Sequence, residues 1–207
     1  MPVNKYSLFY VYLSYMANEA LDTCLVDRAI IFAVKAHAGT ERRGKRIPYI
    51  VHPLEAMAIV ATVTTDPEML AAAVLHDTVE DTAVTVEDLR AEFGERMAAL
   101  GASESDSFVD AAGRELDWKE RKVLALKRLA NATRDEKIVA LGDKLSNMRA
   151  IARDYAALGE SFWLRFHVKD KAPHAWRYRA LADALSELAD TDAYQEFVRQ
   201  ILQVFGA

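Results

Sequence analysis

The stretch Leu75-His76-Asp77-Thr78-Val79-Glu80-Asp81 sets one imidazole and three carboxylates close together. On a helical wheel, at about 100° per residue, these four groups share less than half of the surface. Ala71, Ala72, Leu75 and Val79 occupy the other side. An adjacent His-Asp pair, with a Glu-Asp pair one turn later, suits a divalent cation with a carboxylate-activated water beside it. The competing reading is a solvated charged face of an amphipathic helix. The choice turns on whether distant parts of the chain supply further ligands. Two do: His52, in Tyr49-Ile50-Val51-His52-Pro53, and Asp143, in Leu141-Gly142-Asp143-Lys144. Two imidazoles and two carboxylates would bind one divalent metal and leave positions open for water and substrate.

Each of these residues needs an element to place it. Pro53 suits the first turn of a helix, so His52 is expected at or just before that helix's N-terminus, with Leu54, Met57, Ala58 and Ala61 as the buried stripe. Asp66-Pro67-Glu68 reads as an N-cap and starts the helix that carries His76 and Asp77. Thr85-Val86-Glu87-Asp88 has the form of a capping box for a short helix stopping at Gly94. Thr133-Arg134-Asp135-Glu136 caps the helix that carries Asp143. On it Leu141, Leu145 and Met148 share one face, Asp143 and Asn147 the opposite one, and Gly142 lets another backbone come close. Apolar spacing also predicts an amphipathic helix over about 22–38, ending at His37, which reads as a helix-end histidine favoured by the dipole rather than as a ligand. Further helices are expected from Trp118 to about Asn131, from His174 to about Leu188 and from Thr191 to Phe205, with irregular chain from Gly159 to Pro173. Residues 101–117 are polar and acidic without a helical stripe and read as a loop.

The chain has 207 residues and a net charge of −5, with only eight Gly and five Pro. That length buries a real core, and the composition favours helix. We therefore expect one all-α domain over 21–207, with 1–20 as an N-terminal extension and 159–207 as a C-terminal helical part. The acidic balance argues against a nucleic-acid-coating surface, and no stretch is long and apolar enough to span a membrane. Cys24 is the single cysteine. It removes thiolate zinc sites and intrachain disulfides, fits a reducing cytoplasm and reads as a buried small residue. The aromatic run Tyr6–Tyr15 either precedes a start at Met16 or packs on the domain or on a second copy of the chain. One segment is strongly basic: Arg42-Arg43-Gly44-Lys45-Arg46 places four cations in five positions. Guanidinium forks and an ammonium there suit phosphate.

With these motifs in order, Arg42-Arg43, Pro48 to Pro53, Leu75 to Thr82 and Gly142 to Arg149, the sequence resembles the HD-domain phosphohydrolases. It is most similar to the hydrolase domain of the RelA/SpoT group and to the stand-alone small alarmone hydrolases. The resemblance covers about residues 25–100 and 137–152. It implies an HD-type helical bundle. It implies His52, His76, Asp77 and Asp143 as metal ligands, usually to manganese, and Glu80 and Asp81 as the pair that positions and activates the attacking water. Arg42, Arg43 and Asn147 would meet the nucleotide substrate, and Lys45, Tyr49 and Lys144 of the same motifs join them as candidate contacts. The implied reaction is hydrolysis of the 3′-pyrophosphate of guanosine tetra- or pentaphosphate to GDP or GTP. The alternatives are another nucleotide (a 3′-phosphorylated dinucleotide cofactor, an adenine alarmone or a deoxynucleotide) or an inactive nucleotide sensor. The pattern departs in the run Gly44 to Ile47 and over 101–131, and a stand-alone hydrolase is expected. Lys119, Arg121, Lys122, Lys169, Lys171 and Arg177 could reach phosphates, although each taken alone reads as a surface charge; Trp176 and Tyr178 read as core rather than base-stacking residues.

Overall fold

The computed structural model describes residues 24–42, 45–102 and 114–206. The N-terminal aromatic run, Arg43 and most of the expected 101–117 loop lie outside them. Among the described residues the chain is all-α, as expected. In order come α1 (Cys24–Ala36), α2 (Val51–Val60), α3 (Pro67–Leu75), α4 (Thr78–Asp81), α5 (Val86–Phe93), α6 (Glu95–Ala102), α7 (Trp118–Ala130) and α8 (Arg134–Leu158). A 3-10 helix (Gly159–Arg165), α9 (Lys171–Ala184) and α10 (Asp192–Phe205) follow. The basic segment closes on itself through a lone antiparallel bridge between Glu41 and Pro48.

The helix starts follow from side chains that satisfy the first free N–H groups. Asp66 accepts from the Glu68 N–H, and Thr85 and Thr133 form reciprocal capping boxes with Asp88 and Glu136. Asp117 and Glu120 do the same for α7. Gly94 stops α5 with φ +89°, a region that favours glycine, and α6 begins at once.

The long helix α8 is the hub, packed against α2, α3, α6, α10 and the 3-10 helix. Leu141, Leu145 and Met148 are fully buried on one side of it. Each such side chain contributes roughly 1.5–3 kcal/mol of burial. α10 covers α8 with Ala193, Phe197, Ile201 and Val204, spaced at four, four and three residues. Arg96 on α6 reaches Asp66 and Glu68 at the start of α3 and Asp135 at the start of α8, tying the helix that leads to His76 to the one that carries Asp143.

Two expectations change. The buried face of α2 is His52, Pro53, Ala56, Ile59 and Val60; Leu54 and Met57 are half-buried, and Ala58 and Ala61 are exposed. The reason is the approach of α8. A Cβ on Gly142 would stand 2.7 Å from Val60 Cγ2 and 2.8 Å from the Ala56 carbonyl oxygen. The second concerns Cys24 and Trp176, which are exposed rather than buried.

Gly142→Ala tests that packing. In an open helix the change would stabilise by about 0.8–1 kcal/mol. Here the methyl meets a backbone carbonyl that cannot rotate away. Overpacking of about 1–3 kcal/mol then wins, and Tm falls by several degrees in thermal denaturation. An unchanged or higher Tm would contradict the close approach.

Candidate metal centre

The expected helix through His76 and Asp77 is interrupted there. α3 ends at Leu75, His76 (φ −54°, ψ −37°) and Asp77 (φ −93°, ψ −4°) form a turn, and α4 restarts at Thr78. Side chains take over the carbonyls of the last turn. His76 Nδ1 lies 2.7 Å from the Ala73 oxygen, and the Thr78 hydroxyl donates to the Leu75 oxygen at 2.7 Å. The break keeps His76 buried at 1% exposure, with Nε2 directed at the carboxylates, and leaves Glu80 and Asp81 exposed on the rim.

Two helices and this turn converge. His52 comes from the first turn of α2, and Asp143 from the middle of α8, held close by Gly142. The metal-binding atoms of His52, His76 and Asp143 all lie within 4.8 Å of one another. Asp77 Oδ2 stands 3.4 Å from His52 Nε2 and 3.0 Å from His76 Nε2. Asp143 Oδ1 stands 3.0 Å and 3.6 Å from the same two nitrogens. The two imidazole Nε2 atoms and two carboxylates thus face a common point.

This donor set fits a divalent transition metal. His76 Nε2 is a buried nitrogen with no hydrogen-bond partner. An acceptor to the Nδ1–H, here the Ala73 carbonyl, leaves Nε2 as the ligating lone pair. Burial works against an imidazolium at His76, but Asp77 and Asp143 outweigh it and hold its pKa well above 6.5. Burial likewise opposes ionised carboxylates. The imidazoles nevertheless hold Asp77 well below the usual carboxylate range, and Lys144 with the imidazoles does the same for Asp143.

The expected substrate contacts divide. Tyr49 donates to Asp77 Oδ2 at 2.7 Å, and burial and the Asp77 carboxylate push its phenol far above 10, so it stays a donor. Lys144 and Asn147 both donate to Asp143. Arg42 reaches Asn147 Oδ1 at 2.9 Å. Lys45 pairs with Asp154 at 2.9 Å and does not line the cleft. Arg43 lies outside the described residues. His37 is buried, packed on the Tyr49 ring at 4.8 Å between centroids, with neither ring nitrogen partnered. Burial holds it below 6.5. It is not among the converging ligands.

An open cleft leads to the cluster. Glu80 and Asp81 line it together with Arg42, Lys144, Lys122 from α7 and Arg177 from α9. Of the six cations that could reach phosphates, Lys122 and Arg177 line the cleft, although each alone reads as a surface charge. A lone cation on a remote helix carries no signal of this until the helices pack. Chemically, the cleft sets a metal-type donor cluster and an acidic pair beside four cations, an arrangement for cleaving a phosphate ester.

Comparison with known proteins agrees with the geometry. A model of the HD domain matches residues 29–161, more than half of the chain. A guanosine-3′,5′-bis(diphosphate) 3′-pyrophosphohydrolase of Xenopus tropicalis is 34% identical over 135 residues, covering 64% of this chain and 72% of that protein. A Synechocystis protein named as a probable enzyme of the same kind is 30% identical over 194 residues, 88% of this chain. The chain spans only 25% of that relative's length and 14% of a Streptomyces coelicolor GTP pyrophosphokinase. A solved metazoan ortholog of SpoT, described as hydrolyzing ppGpp, has the same fold. It superposes with a TM-score of 0.68 at 24% identity, over 86% of this chain and 94% of that one.

Proposed function

The chain belongs to the HD domain family, and on that premise we propose that it is a metal-dependent hydrolase of the 3′-pyrophosphate of guanosine tetra- or pentaphosphate. The observation that carries this reading is the convergence of His52, His76, Asp77 and Asp143 behind an acidic pair and a cationic wall. These four residues would hold the ion, with Mn²⁺ the proposed metal. Such an ion supplies Lewis-acid polarisation and a lowered water pKa. Glu80 or Asp81, exposed at the rim, takes the proton of the attacking water. The water oxygen bonds to phosphorus, the bond from phosphorus to the ribose 3′ oxygen breaks, and that oxygen takes up a proton. GDP or GTP and pyrophosphate leave. Arg42, Lys122 and Arg177 neutralise phosphate charge. Tyr49, Lys144 and Asn147 act mainly by holding Asp77 and Asp143 in place. The partner is a free nucleotide in the cytoplasm, not a nucleic acid.

The test is to incubate manganese-loaded protein with a panel of nucleotides and separate the products. Pyrophosphate from guanosine tetraphosphate supports the reading. Orthophosphate release, or activity confined to another nucleotide, overturns it. Within that assay Lys122→Ala and Arg177→Ala are each expected to raise KM by about tenfold or more, the scale of one lost charge-assisted hydrogen bond. Unchanged KM in both would remove them from phosphate binding.

A further inference from the structure

Behind the cluster runs a chain of polar contacts that nothing above uses. His52 Nδ1 lies 2.8 Å from Ser146 Oγ, one helical turn beyond Asp143's neighbourhood on α8. Ser146 Oγ in turn donates to Glu55 Oε2 on α2 at 2.8 Å. Glu55 Oε1 accepts from Arg149 Nη1 at 3.4 Å. Arg149 is held in a fork by Glu196 of α10, at 2.6 and 2.7 Å. The chain leaves a fully buried serine and ends at the surface between α8 and α10, some distance from the catalytic cleft.

Counting protons settles the direction of this relay. A carboxylate only accepts, and a serine hydroxyl carries one proton. That proton goes to Glu55, so Ser146 Oγ must accept from His52, which places a proton on Nδ1; in the neutral imidazole Nε2 then keeps its lone pair. Nε2 is the atom that faces Asp77 and Asp143. Arg149 fixes the orientation of the Glu55 carboxylate, and Glu196 keeps Arg149 from swinging into solvent.

We infer that Ser146, Glu55, Arg149 and Glu196 are positioning residues that set the tautomer and orientation of His52, so that α10, which lies beyond the matched family region, tunes metal affinity. The inference rests on His52 being a ligand but not on the identity of the substrate. His76 obtains the same tautomer from a backbone carbonyl, which no substitution removes. His52 depends on side chains and is the adjustable ligand of the two. Loss of outer-shell partners of this kind weakens metal binding by about 10–100-fold.

The experiment measures Mn²⁺ affinity by competition with a chelator, and the His52 tautomer by ¹⁵N NMR of the metal-free protein at alkaline pH. The variants are Ser146→Ala, Ser146→Thr, Glu55→Ala, Glu55→Gln and Glu196→Ala. The wild type is expected to show a protonated Nδ1. Ser146→Ala and Glu55→Ala should lose about tenfold or more in affinity and show Nε2–H signal at His52. Ser146→Thr, which keeps the hydroxyl, should restore both readings. Glu55→Gln can donate as well as accept and should give a mixed tautomer. Glu196→Ala should shift both readings the same way, less strongly. A fold defect would move resonances across the protein, and Ser146→Thr then decides. Wild-type affinity and an unchanged His52 tautomer in Ser146→Ala and Glu55→Ala overturn the inference. A wild type that binds no metal overturns the ligand assignment instead.

Discussion

His76→Ala is expected to abolish metal binding and turnover together. The residue supplies one of two nitrogen donors, and its removal leaves Asp77 and Asp143 facing each other across a buried gap without the His76 imidazole between them. Partners that merely touch a ligand are worth about 10–100-fold in affinity, so loss of the ligand itself must exceed that. The check is metal content after dialysis, beside circular dichroism to show that the helices persist. Retained stoichiometric metal would remove His76 from the site. The same residue sets a pH dependence. In the metal-free protein its pKa stands well above 6.5, because Asp77 and Asp143 override burial. A metal must displace that proton, so affinity falls as pH drops through the raised pKa, and binding releases acid measurable in weakly buffered solution.

Glu80→Gln is expected to keep the metal and lose turnover. Glu80 is exposed on the cleft wall, one turn beyond the break at His76 and Asp77, and lies outside the converging ligands. The amide preserves shape but cannot take a proton. One positioned general base is worth about 10²–10⁴-fold, and kcat should fall by that factor with KM nearly unchanged. A fully active Glu80→Gln enzyme would shift the base role to Asp81, where Asp81→Asn is the corresponding measurement.

Much of this arrangement can be read from residue types alone. Asp66, Thr85, Thr133 and Thr191 announce their helices because capping is a local interaction between a side chain and backbone two or three positions on. Gly142 signals a close approach because only a missing Cβ permits one. Local signals fail where a competitor acts from elsewhere. Apolar periodicity extends the α3 helix through His76, but Ala73 and Leu75 find side-chain partners for their carbonyls and the helix stops. The buried face of α2 is chosen by α8, not by its own pattern, since nearly every residue of Val51–Val60 is apolar. His37 reads as a helix-end residue, yet it is buried against Tyr49 because the basic segment folds back over it. Lys45 and Lys122 exchange expected places: one meets Asp154, the other the cleft. Nothing in a single charged residue distinguishes the two outcomes. The relay from His52 to Glu196 spans 144 positions (196 − 52) and emerges only when α2, α8 and α10 pack.

In the proposed reaction, water activated beside the His52, His76, Asp77 and Asp143 cluster attacks the phosphorus attached to the ribose 3′ oxygen. Manganese-loaded protein turning over guanosine tetraphosphate in ¹⁸O-water, with mass spectrometry of both products, tests it most directly. One ¹⁸O is expected in the released pyrophosphate and none in GDP. Label in GDP, or label in orthophosphate, would contradict it.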